Sequence, residues 1–156
     1  MSNSISRRAA ITNLGWLAAL AAVPDWARAQ NKTPIVVYKD PNCGCCAKWI
    51  DHMKANGFTA SVTDTPDMTA IKTRYQVGDQ LRSCHTTIVG GYVIEGHVPA
   101  GDVKKLLLQK PKGIVGLTIP GMPASAPGMD MTPFVPYTVL TFDAKGGTAE
   151  FAKHSK

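Results

Sequence analysis

Three of the chain's four cysteines, Cys43, Cys45 and Cys46, fall within four positions of the stretch DPNCGCCAKW, residues 40–49. Cys43 and Cys46 have the CxxC spacing of disulfide exchange, in which one thiolate attacks and the other resolves the mixed disulfide. Cys45 has no part in that scheme. A bond from it to adjacent Cys46, or to Cys43 two positions away, would be strained. Three thiolates a few Å apart at a partly buried site repel one another strongly, and a bound cation removes the conflict. Metal binding is therefore the leading reading of the cluster, ahead of a Cys43–Cys46 disulfide with two spare thiols.

The surrounding pattern predicts how these thiols are held. Ile35-Val36-Val37-Tyr38, between Pro34 and Asp40-Pro41-Asn42, has the composition of a buried strand. After the cysteines, AKWIDHMKANG sets Trp49, Ile50 and Met53 at helical spacing and ends on Gly57 as a C-cap. The thiols then sit at a helix N-terminus, where the dipole and free N–H groups stabilise thiolate. Further on come a strand over 58–63, a helix over 68–77, a hairpin of 86–89 and 92–95 about Gly90-Gly91, and a helix over 102–109 closed by Pro111. This βαβα–ββα order, with the cysteines on the first strand-to-helix turn, predicts an α/β, thioredoxin-like fold with a central mixed sheet flanked by helices. In such folds the loop before the third strand faces that turn and usually bears a cis-proline that blocks metal binding. Here that loop is Ser83-Cys84-His85-Thr86-Thr87, which brings a thiol and an imidazole and no proline.

Residues 111–136 hold six prolines and four glycines, so they are expected to form neither a long helix nor a central strand. They also carry Ile114, Val115, Leu117, Ile119, Met122, Met129 and Met131, which is too apolar for a disordered linker and points to a packed, functional loop. Residues 137–142 and 148–151, joined by AKGG, predict a C-terminal hairpin. Residues 30–110 form the expected metal-binding domain, with 111–156 packed on it.

The first 29 residues have Arg7-Arg8, an apolar run over 11–23 and Ala27-Arg28-Ala29, the marks of an export signal cleaved after Ala29. Ser6-Arg7-Arg8 before Ile11 also resembles a twin-arginine signal, with Ala10 where an aromatic is usual, so the export route stays open. Without this segment 14 Lys and Arg face 10 Asp and Glu, a net +4. That charge is small and scattered, which speaks against nucleic acid as a partner, and no later segment is long and apolar enough to span a membrane. The periplasm is the expected location.

Zinc accepts four thiolates but usually takes them as two separated pairs. An iron–sulfur cluster fits poorly with an exported, oxygen-exposed chain. Thiolates together with the thioethers of Met122 and Met129 favour Cu(I), with Met131 a weaker candidate. His85, next to Cys84, is a candidate ligand or orienting neighbour, and His97 is a weaker candidate on spacing alone. His52 and His154 are expected at the surface. Met53, Met68, Trp49 and Tyr38 are expected to pack.

CGCC at 43–46, SCHTTIVGGYVIEGHVPA at 83–100 and GLTIPGMPASAPGM at 116–129 together resemble exported, thioredoxin-like, CxCC-containing copper-binding proteins of the CopG type, over about residues 34–131. The resemblance implies copper handling or resistance in the periplasm, with Cys43, Cys45, Cys46 and Cys84 as copper ligands in a site that can be multinuclear. It also keeps His97 as a candidate. Copper ions and other periplasmic copper-handling proteins are the expected partners. A metal-binding role is favoured over an enzymatic one. A thiol–disulfide oxidoreductase using Cys43 and Cys46, or a zinc-stabilised structural module, are the alternatives.

Overall fold

The computed structural model describes residues 32–155, so the export signal expected at 1–29 falls outside them. Ile35 and Val37 are buried while Val36 between them is exposed, the period of two of a strand. This strand, β1 (Thr33–Lys39), turns at Pro41-Asn42 directly into α1 (Gly44–Ala55). The helix buries Cys46, Trp49, Ile50 and Met53 as one stripe. It ends where Gly57 takes the left-handed conformation, φ +88°. β2 (Phe58–Asp64) runs parallel to β1. The next helix, α2 (Met68–Arg74), is capped by the Asp67 carboxylate, which accepts the Ala70 N–H at 2.9 Å. After a 3₁₀ turn at Asp79–Leu81 come β3 (Thr86–Val89), β4 (Tyr92–Glu95) and α3 (Ala100–Gln109).

Among the described residues seven strands form one mixed sheet in the order β2-β1-β3-β4-β5-β6-β7. β5 is Gly116–Thr118, and β6 (Tyr137–Phe142) and β7 (Thr148–His154) form the C-terminal hairpin. Trp49, Ile50 and Met53 from α1 and Val103 and Leu106 from α3 pack in one core with Ile35, Val37, Ile94, Leu117 and Val139. On the opposite face Val77 and Leu81 pack with Val93 and Phe142. β3, β4 and β6 feed both cores, through Val89 and Ile88, Ile94 and Val93, and Val139 and Phe142, so the middle of the sheet is apolar on both faces.

One expectation is corrected here. The Pro/Gly-rich segment does hold a central strand, because Gly116–Thr118 lies in the proline-free interval between Pro111 and Pro120 and pairs with β4 on one side and β6 on the other. Its glycine is what lets it dock: a Cβ on Gly116 would sit 1.7 Å from the Val93 carbonyl oxygen. The thiols sit at a helix N-terminus as expected: α1 begins at Gly44, so Cys45 and Cys46 occupy its first turn, with Cys43 at the N-cap position.

Candidate metal centre

The strand register decides which loops meet. Tyr38 pairs with Thr86, Thr86 with Glu95, and Glu95 with Thr118. The C-terminal end of β1, the start of β3 and the ends of β4 and β5 therefore share one edge of the sheet. The CGCC turn, the Ser83–His85 loop, His97 and the segment from Ile119 onward all leave from that edge.

The result is a compact sulfur cluster. The four Sγ atoms of Cys43, Cys45, Cys46 and Cys84 all lie within 4.8 Å of one another. Cys45 Sγ is 3.5 Å from Cys43 Sγ and 3.6 Å from Cys84 Sγ. Cys43 and Cys46 are joined by a disulfide with their Cα atoms 5.4 Å apart, while Cys45 and Cys84 are free thiols. Met122, itself exposed, places Sδ 2.8 Å from Cys84 Sγ. Burial, together with the neighbouring Cys45, pushes the Cys84 thiol up to about 12, so without a cation it keeps its proton. Reduced and deprotonated, these four sulfurs together with the Met122 thioether would make a donor set for a soft metal.

Residues that carry no metal-binding signal hold this loop in place. Lys72 of α2 is buried and bonds Glu95 Oε1 at 2.5 Å and Thr86 Oγ1 at 3.3 Å. Glu95 Oε1 also accepts the Ser83 N–H at 2.6 Å, and Thr86 Oγ1 donates to Glu95 Oε2 at 2.7 Å. Burial pushes the Glu95 carboxyl up, against the pull of Lys72 and these hydrogen bonds. On the far side the Ser83 hydroxyl donates to the Gly121 carbonyl, fixing the turn that presents Met122 beside Cys84. Lys72, Ser83 and Glu95 escape a sequence reading because a helix lysine, a loop serine and a strand glutamate ordinarily face solvent.

The histidines separate from one another. His85 and His97 are fully buried, with ring centroids 5.1 Å apart, and His85 packs 4.3 Å from the Trp49 ring. Burial lowers both, His85 well below the ordinary histidine range, which keeps the rings neutral. Their nitrogens group with Cys46 Sγ alone and not with the other three thiols. His52 and His154 are not the bare surface residues expected. His52 Nε2 accepts the Ala100 N–H at 3.2 Å, and His154 Nε2 lies 2.7 Å from Asp102 Oδ2 and stacks on Tyr137. Of the methionines, Met122 reaches a thiol, Met129 is half-buried and Met131 is exposed.

A solved structure titled "Copper resistance protein copG- Form 1" shares 39% identity with this chain, covers 80% of it over 99% of its own length, and superposes with a TM-score of 0.75. The chain belongs to the CopG family. A second structure, "Copper resistance protein copG- Form 2", matches at 39% identity and a TM-score of 0.73 over 78% of this chain and 98% of its own. Residues 81–129 also match the family described as "Protein of unknown function, DUF411". That match takes in Cys84, His85, His97 and Met122 of this CopG-family chain and leaves the CGCC turn outside. No curated protein matches it.

Proposed function

We propose that the protein is an exported, periplasmic copper-binding protein with a thioredoxin-like fold, holding Cu(I) through Cys43, Cys45, Cys46 and Cys84 for copper handling or resistance. The observation that carries this is the meeting of four Sγ atoms from two distant loops within 4.8 Å. Met122 adds a thioether at the exposed side, where an ion arriving from a copper-handling partner first meets the site. Family membership supports the copper assignment, since the two related structures carry copper resistance in their names. Four thiolates carry four negative charges, so a single Cu(I) leaves most of them uncompensated, and more than one ion balances the cluster better. The β1-α1-β2 and β3-β4-α3 order supports the thioredoxin-like description. No helix among the described residues is long and apolar enough to cross a membrane.

The Cys43–Cys46 disulfide favours a second reading, a thiol–disulfide oxidoreductase with Cys43 attacking and Cys46 resolving. It also sets a condition on the first: all four sulfurs become ligands only after two electrons and two protons reduce that bond. Anaerobic titration of the reduced protein with Cu(I) and with Zn(II), in wild type, Cys45→Ser and Cys84→Ser, separates the two readings. Several Cu(I) ions in wild type and few in either variant are expected, with Zn(II) unable to compete. Full disulfide reductase activity in both variants, with no tight Cu(I) in wild type, would establish the oxidoreductase instead.

A further inference from the structure

We propose that the end of the molecule opposite the sulfur cluster is a membrane-docking surface, where lysines around the exposed Leu108 of α3 rest on the anionic phosphate headgroups of a lipid bilayer. The surface is independent of the copper site and rests only on the exported location proposed above. β1 enters the sheet at Thr33 and reaches the cysteine turn only after Lys39, about 20 Å further on. The C-terminal half of α3 lies at the Thr33 end. Thr33, Lys104, Leu107 and Leu108 line one open hollow of about 290 Å³, and Gly90, Gly91, Tyr92, Leu107 and Lys110 line a second of about 440 Å³.

The charge at this end is of one sign. From Lys104 to Lys112 the chain carries four lysines and no acidic residue. Lys105 turns toward β7, with Nζ 3.4 Å from the Phe151 carbonyl oxygen and 4.6 Å from the ring centroid. Lys104, Lys110 and Lys112 are exposed and make no salt bridge among the described residues. Lys32, also exposed, adds a charge where the described chain begins. Asp143, which lines a hollow with Lys112, has its Oδ1 taken by the N–H groups of Lys145 and Gly147 at 2.7 and 2.9 Å. Leu108 is 84% exposed, while Val103 and Leu106 make the buried face of the helix. Lys110 holds its charge in the left-handed conformation, φ +44°, where glycine would be free of strain.

An exposed leucine ringed by long lysines matches the interfacial layer of a bilayer. The apolar group enters the acyl boundary while the ammonium groups reach the phosphates. Carboxylates of a protein partner are better met by arginine, whose planar fork pairs them bidentately. The described residues hold only two arginines, Arg74 and Arg82, at the end of α2 and after the 3₁₀ turn. The chain that precedes the fold favours the same occupant. Its apolar run over 11–23 ends nine residues before Lys32, so a bilayer that holds the run lies at most about 30 Å from this end. Diffuse charge and one leucine give reversible docking rather than insertion. With this end on the membrane the sulfur cluster faces away from it, open to soluble partners.

The test takes the chain from Gln30, which holds every described residue and lacks the apolar run, with vesicles of phosphatidylcholine alone or mixed equally with phosphatidylglycerol. Co-sedimentation is expected with the mixed vesicles at low salt and not with phosphatidylcholine alone, and it should fade as salt screens the charges. Lys104→Gln, Lys110→Gln and Lys112→Gln are each expected to weaken it about fivefold, and the three together about a hundredfold. Leu108→Gln should weaken it without changing the salt dependence. A nitroxide carried on the lipid is expected to broaden the amide signals of Leu108 and Lys110 and leave those of Cys43 and Cys46 sharp. No binding to the mixed vesicles, undiminished binding by the triple variant, or broadening at the cysteine turn instead overturns the proposal. Binding to polyglutamate but not to vesicles also overturns it, in favour of an acidic protein on this surface. The triple variant is expected to take up Cu(I) as the wild type does. Docking without Cu(I) binding in the wild type defeats the copper reading alone, whereas Cu(I) binding without docking defeats the membrane surface alone.

Discussion

Cys45 changes meaning once Cys84 is placed. In a CxxC couple it is superfluous, but its sulfur lies between Cys43 and Cys84, 3.5 and 3.6 Å away, and so joins the first turn of α1 to the loop before β3. His52 changes in the opposite direction, from surface residue to structural acceptor. Its Nε2 takes the Ala100 N–H at 3.2 Å, one of the otherwise free donors at the start of α3. Partial burial lowers its pKa from the ordinary value of 6.5, against the opposing charge of Asp130. The unfolded chain then binds the proton more readily than the folded one, so His52 adds stability that is complete above pH 6.5 and is lost as pH falls through the lower folded value. We predict that the melting temperature of the metal-free protein drops between pH 7 and pH 5, and that His52→Gln makes this drop shallower. An identical pH profile in the variant would show that His52 plays no part.

At the scale of elements, the segment after β5 is clamped onto α1. Gly128, at φ +86°, lies so close to the helix that a Cβ on it would be 2.7 Å from the Trp49 nitrogen and 3.1 Å from the Cys45 carbonyl oxygen. His97 fastens the preceding residue through the Pro127 carbonyl, and Ser83 fastens Gly121. A side chain at position 128 meets both the left-handed backbone, at about 1–2 kcal/mol, and the helix backbone itself. Gly128→Ala is therefore expected to destabilise the protein by roughly 2–4 kcal/mol and to weaken Cu(I) binding, because the segment carrying Met122 and the His97 partner must lift. Denaturant unfolding and a competition titration against a chromophoric Cu(I) chelator measure the two effects. Unchanged values in both would mean that the segment does not need this contact.

For the whole molecule, the candidate ligands come from the end of β1 and the start of β3, so the four sulfurs meet only when the sheet is paired in register. The proposed Cu(I) binding, which requires this assembled site, predicts a link to global stability. At free Cu(I) a thousandfold above the dissociation constant the linkage is about 4 kcal/mol, or a rise of roughly 10–15 °C in melting temperature for a domain of this size. Calorimetry of the reduced protein with and without Cu(I) should show that rise, and a Cu(I) chelator should reverse it; equal melting temperatures would contradict folding-linked binding. Much of this was legible in one dimension. Apolar periodicity marked α1, α2 and α3, the Gly90-Gly91 turn marked the β3–β4 hairpin, and the crowding of Cys43, Cys45 and Cys46 declared a site, because these signals depend on residues close in sequence. β5 was hidden because its three residues are a strand only between β4 and β6. The roles of Lys72, Ser83 and Glu95, the capping contact of His52 and the grouping of His85 and His97 with Cys46 were hidden for the same reason. The sequence by itself determined which donor chemistry this chain carries and the local elements that bear it. Through the expected fold it also set Cys84 opposite the CGCC turn; the tertiary structure alone decided the distances and the remaining meetings, Met122 with Cys84 and His85 and His97 with Cys46, because strand register, with no local signature in the chain, sets how loops far apart in sequence approach.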